Sequence, residues 1–185
     1  GSLEIRSSRV GQLRVQSVVD APAPNGGSFG FQLPTVKSGD GARLNVPHSV
    51  VGVLQDATYR TNLILAETSG QSASVTVTLY DRTGKPVGST ERGLPPYGKK
   101  QFGVAELAGS NTLSAGSLEI RANAGSAGSV VGVVTTIDGR TGDASSFLAR
   151  PLKASPSSSV FTIASVVVSG TFKSRVEIRN DDEKP

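Results

Sequence analysis

The chain has 185 residues, 36% of them hydrophobic, with 22 glycines, enough for one large domain or one to two small ones with a packed core. It contains no Cys, Met or Trp and a single His, which excludes disulfides and thiolate metal sites and leaves an imidazole metal centre without a second ligand. Its net charge of +4 comes from basic residues scattered singly or in pairs, unlike a phosphate-binding stripe, and no apolar run approaches the ~18 residues of a membrane span, so neither nucleic acid nor a membrane span is expected.

The opening segment GSLEIR, Gly1–Arg6, returns at Gly116–Arg121, an offset of 115 residues (116 − 1). The stretches that follow each copy also correspond: GQLRVQSVVDAPAPNGGSFGFQLP and GSVVGVVTTIDGRTGDASSFLARP both read as strand, Gly/Asp-rich turn, Ser-Phe and proline. A second pair aligns Val50–Glu67 with Ile163–Asn180, placing Tyr59 over Phe172 at an offset of 113 (172 − 59). Two nearly equal offsets are the mark of a tandem repeat. Residues 1–36 are therefore expected to be the final strands of a preceding repeat, 43–151 a complete repeat, and 160–180 the first strands of a following one, the two ends pairing within or between chains. A chain without methionine is also expected to be a processed product or an excised piece of a longer array.

Within the complete repeat the apolar residues alternate. Strands are expected near Arg43–Leu54, Thr58–Thr68, Ser72–Arg82, Val87–Gly93, Lys100–Leu107, Gly116–Ala122 and Ser129–Asp138. Leu63 and Leu65 share one face of the second, Val75, Val77 and Leu79 one face of the third, and Leu118 and Ile120 oppose Glu119 and Arg121. A period of two marks half-buried strands, and β-branched residues suit them. SVVGVVTTI is apolar nearly throughout and reads as a central strand buried on both sides. DRTGKP is a hairpin turn in which Gly84 supplies a positive φ; LPPYGKK and DGRTGD are further breaks. FGVAELAGS has room for one helical turn. Seven short strands in ~100 residues predict an all-β, antiparallel sandwich of immunoglobulin- or fibronectin-like architecture, without the Cys-Trp-Cys set.

YRTNLILAE, VTVTLYDRTGKPVGS, LPPYGKKQF and VVTTIDGRTGDASSF together resemble a repeat of large secreted bacterial proteins. That pattern runs aromatic-Arg-Thr-Asn-Leu, a Leu-Tyr-Asp hairpin with glycine, a Leu-Pro-Pro-Tyr-Gly turn, and Val-Asp-Asn-x-Thr-Gly-Asp. The likeness covers Val50–Phe147, with Gly139 in place of the usual Asn. It implies an exported, non-catalytic β module at the cell surface or outside the cell, and carries no specific ligand.

The candidate chemical motifs are few. GGSFG at Gly26–Gly30 fits a serine-nucleophile elbow but lacks the strand–turn–helix setting and a dedicated acid–base partner. GLPPYGKK approaches a phosphate loop, yet Lys100 stands where a magnesium-binding hydroxyl belongs. Asp138 and Asp143 flank one turn; two carboxylates fall short of the six or more oxygens of a calcium site, and a capped turn with Asp143 beside Arg60 is expected. Lone His48, after a proline, reads as a surface or turn residue. Tyr59, Tyr80 and Tyr97 are candidates for a sugar-stacking platform, although Tyr59 is expected to plug the sandwich and Tyr97 to pack over a turn. No catalytic, cofactor or metal residue is assigned, and no enzyme activity is expected. The leading expectation is a structural or adhesive module of an extracellular array, self-associating head to tail into filaments through its terminal strands. The alternative is a module that binds carbohydrate or a surface protein beside a secreted enzyme.

Overall fold

Alternating apolar residues become strands throughout. The computed structural model describes residues 3–6, 8, 15–22, 26, 28–152, 168–170, 172–173 and 176–179. A hairpin of β1 (Ser17–Pro22) and β2 (Ser28–Leu33) precedes the main body. The body comprises β3 (His48–Gln55), β4 (Tyr59–Glu67), β5 (Ala73–Tyr80), β6 (Pro86–Leu94), β7 (Lys99–Gly103), a helical turn α1 (Ala105–Ala108), β8 (Leu113–Ala122), β9 (Val130–Asp138), β10 (Ala144–Leu148) and β11 (Arg150–Pro151). Two short strands follow, β12 (Val168–Ser169) and β13 (Phe172–Lys173), paired with each other.

The body is two antiparallel sheets, of order β11-β3-β8-β5-β6 and β10-β9-β4-β7. They share one core. Val50 and Val53 of β3, Val75, Val77 and Leu79 of β5, and Leu118 and Ile120 of β8 come from the first sheet; Leu63 and Leu65 of β4 and Val130 and Val134 of β9 come from the second. The two layers meet closely enough that a Cβ on Gly132 of β9 would lie 2.1 Å from Ile120 Cδ1. The parity predicted for β4, β5 and β8 is the parity observed, and β9 is buried along most of its length between β10 and β4.

Two expectations need correction. The strand predicted over Lys100–Leu107 ends at Gly103, and α1 follows. Val104, Leu107 and Ala108 are buried together, at the three- and four-residue spacing that only a helical turn brings onto one face. The segment ASSFLARP, assigned no strand, supplies β10 and β11. Consecutive strands of the body mostly lie in opposite layers. Here β3 pairs β8 and β4 pairs β7 and β9, so β3 and β4 lie in opposite sheets. Only β5–β6 and β9–β10 form hairpins within the body; the remaining connections cross between layers.

Candidate functional site

The sequence candidates disperse through this frame. Ser28 and Gly30 of the elbow-like motif lie on β2, opposite Pro22 and Asp20, in a hairpin rather than before a helix; Gly27 lies outside the described residues. In GLPPYGKK, Pro95 accepts a 2.8 Å hydrogen bond from the Gly98 N–H, closing a β-turn that leads into β7, not into a helix. Asp138 accepts hydrogen bonds from the N–H groups of Arg140 and Thr141, and Arg140 lies 3.5 Å from its carboxylate. Those bonds, that of the Arg140 N–H foremost, hold Asp138 below the usual carboxylate range. The cation at this turn is thus Arg140 rather than Arg60. Among the described residues no group of three or more His, Cys, Asp or Glu side chains converges. The tyrosines do not form a platform. Tyr59 begins β4 and Tyr97 sits beyond its far end, ~26 Å away at strand rise, while Tyr80 ends β5 in the other sheet. Tyr97 does pack over a turn, its ring lying against Gly70.

His48 is not a surface residue. It opens β3 on the inward parity of Val50, 3% exposed, and its Nδ1 lies 3.3 Å from the Ala149 carbonyl, to which it donates as the Nδ1–H tautomer. Burial holds its pKa below the ordinary value, helped by Arg43 and Arg150; the Ala149 hydrogen bond and Asp40 oppose this. The folded chain therefore resists protonation more than the unfolded chain, and stability is lost as pH falls through about 6.5. Melting temperatures between about pH 7.5 and 5 should decline in the parent and stay flatter in His48→Gln. Equal slopes would show that His48 titrates alike in both states.

The least expected polar centre is Glu67. It ends β4 on the inward parity of Leu63 and Leu65, 1% exposed. Its carboxylate accepts five hydrogen bonds, from Ser69 N–H (2.7 Å), Ser69 Oγ (2.5 Å), Gly70 N–H (2.8 Å), Tyr97 N–H (3.0 Å) and Ser129 N–H (3.1 Å). Desolvation pushes its pKa up, but the bonds outweigh it and bring the group from 4.5 down to about 2. Its backbone N–H also donates to Gly98 O at 2.9 Å. One side chain thereby fastens the end of β4, the turn at 69–70, the LPPYG turn and the start of β9. The available signal was a carboxylate on the core parity of an otherwise apolar strand.

The second centre missed by the sequence lies on β3. Register shifts between Val51 and Val53, and Gly52, at φ +88°, is the extra residue of a bulge. This is backbone that other residues adopt only with strain. Side chains from the opposite sheet satisfy this irregular stretch: Thr136 Oγ1 donates to Gly52 O at 2.8 Å, while Thr61 Oγ1 donates to Leu54 O at 2.5 Å and accepts from Leu54 N–H at 3.1 Å. The Gly52 N–H is taken by the C-terminal segment, donating to Glu177 Oε2 at 2.7 Å. Two residues on, Arg179 donates to Ser117 Oγ at 2.9 Å and to Glu119 Oε2 at 3.1 Å, and lies 4.9 Å over the Tyr80 ring. Glu119, on the outward parity of β8, is thus buried between Arg121 and Arg179. The segment crosses the outer face of the five-stranded sheet from β3 over β8 to β5. Its neighbours include Phe147, whose ring fills the space a Gly52 side chain would need.

No family model and no curated protein matches the chain. Among solved structures, the crystal structure of Thermotoga maritima 1070 is similar to it at 17% identity and a TM-score of 0.47, over 60% of this chain and 94% of that one.

Proposed function

We propose that the chain is a non-catalytic, extracellular structural or adhesive β-sandwich module of a repeat array, and that its copies assemble head to tail through their terminal strands. The observation that carries this reading is β1. All six of its residues are exposed, Val18 at 58% and Val19 at 42%. Among the described residues it pairs β2 alone, which leaves its other edge open. An apolar edge of this kind is a template for strand addition, and a heterologous contact repeated from copy to copy builds open filaments. The interior supports the same reading, because the buried carboxylates of Glu67 and Glu119 are spent on turns and on arginines. No helix of the described residues is long and apolar enough to cross a membrane.

Assembly is read by light scattering over a concentration series. The mass of the full chain should rise with concentration, and Val18→Lys with Val19→Lys, which puts charge on the open edge, should hold the chain monomeric. A parent chain that stays monomeric at every concentration removes the filament reading.

A further inference from the structure

The segment seated on the outer sheet repeats a pattern found twice more in the chain. Val176-Glu177-Ile178-Arg179, Leu118-Glu119-Ile120-Arg121 and Leu3-Glu4-Ile5-Arg6 are each aliphatic-Glu-Ile-Arg. In an extended backbone the Glu and Arg of such a segment project to one face, two residues apart, and the aliphatic pair to the other. The three copies are used differently. The middle one is part of β8, with Leu118 and Ile120 wholly buried in the core. The C-terminal one lies on that same strand's outward face, its Arg179 reaching Glu119. The N-terminal one is displayed: Leu3 is 86% exposed, Ile5 is 49% exposed, and Glu4 and Arg6 pair with each other at 3.0 Å, with Tyr97 beside Arg6.

We propose that the seat formed by the Gly52 N–H, Ser117, Glu119 and Tyr80 is a docking site for an extended aliphatic-Glu-Ile-Arg strand. Val176–Arg179 fills it within the chain, and Leu3–Arg6 of a second copy fills it between chains. The seat presents what this strand requires: an N–H for the carboxylate, and a carboxylate, a hydroxyl and an aromatic face for the guanidinium two residues on. Glu4 and Arg6 supply the same two groups at the same spacing as Glu177 and Arg179. Their mutual pair is exposed and is given up at little cost on docking, whereas the seat's contacts to Glu119 are sheltered. The inference rests on the reading of the chain as a self-assembling module and names one contact for it.

The test uses the full chain and a fluorescent peptide with the sequence of residues 1–8, GSLEIRSS. With the intramolecular segment in place, the seat is competent only in the fraction of molecules where it has lifted, so apparent affinity falls by that fraction. Glu177→Ala with Arg179→Ala vacates the seat and should tighten peptide binding by about tenfold or more, read by fluorescence anisotropy. Adding Glu119→Gln to that variant should reverse the gain, as should a peptide in which Glu4 and Arg6 are alanine. A scrambled peptide binding as well as GSLEIRSS, or affinity unchanged by vacating the seat, overturns the proposal. Peptide binding by a chain that never assembles would remove the filament reading and leave the seat. Assembly without peptide binding would do the reverse.

Discussion

Val77→Asp is expected to unfold the two-sheet body, while Thr78→Asp, one residue along β5, is expected to leave it folded. Val77 has no exposed surface, faces the shared core, and lies opposite Ile120 of β8 and Thr90 of β6. The substitution removes roughly 2 kcal/mol of apolar burial and places a carboxylate where water cannot reach it, costing several kcal/mol more. The sum approaches the whole stability of an ordinary domain, about 5–15 kcal/mol. Thr78 points to the opposite face, with its hydroxyl 3.3 Å from Ser89 Oγ and Glu119 across the strand pair. A carboxylate there forfeits a weak hydrogen bond and meets one like charge, about 1 kcal/mol in total. Urea unfolding of both variants at one temperature reads the difference. Equal losses would mean that the inward parity of β5 is misassigned.

That contrast depends on a pattern legible in the sequence, and the legible part has a clear limit. Parity along a strand is a local property, so Val75, Val77 and Leu79 declare their face wherever the strand goes. So does the turn between β5 and β6, where Asp81 Oδ1 accepts from the N–H groups of Thr83 and Lys85 and Gly84 stands at φ +81°. Strand order is a property of the whole chain. Nothing local in HSVVGVLQ states that β3 pairs β8 rather than β4. β10 was missed because ASSFL lies at a sheet edge, where Ser145 and Phe147 stay exposed and the apolar alternation that marks an inner strand is absent. His48 was misplaced for the opposite reason: a lone polar residue beside a proline looks like a turn, and only the strand parity it shares with Val50 puts it inside. The seat for Val176–Arg179 was illegible because it is built from three strands distant in sequence and completed by a bulge at Gly52. Its occupant was legible in principle, since the Glu-Ile-Arg pattern of GSLEIR recurs in SRVEIRN.

Glu67 is where local pattern and global fold meet, and its removal is the other change expected to cost most. Glu67→Ala deprives the N–H groups of Ser69, Gly70 and Tyr97 of their acceptor inside the fold and leaves Ser129 N–H with only Ser69 Oγ at 3.1 Å. Each part-buried donor so stranded costs at most about 1–3 kcal/mol. Relaxation and water entry at the loops reduce the total, and a loss of about 3–5 kcal/mol at neutral pH is expected. Glu67→Gln keeps the shape but turns an amide NH2 toward groups that are themselves donors, so it should fall between parent and alanine. The pH dependence separates charge from shape. Because the folded pKa is about 2 and the ordinary value 4.5, the unfolded chain takes up the proton first as acid is added. The carboxylate's contribution is therefore complete above about pH 5 and drains away as pH falls toward 2, about 3 kcal/mol in all. Urea midpoints measured at about pH 7, 4 and 2.5 should fall more steeply in the parent than in Glu67→Gln, because the amide has no proton to gain. Parallel decline of the two proteins would mean that the five hydrogen bonds stabilise the loops without favouring the charged form. The sandwich would then be held at this end by geometry alone, and not by a buried anion.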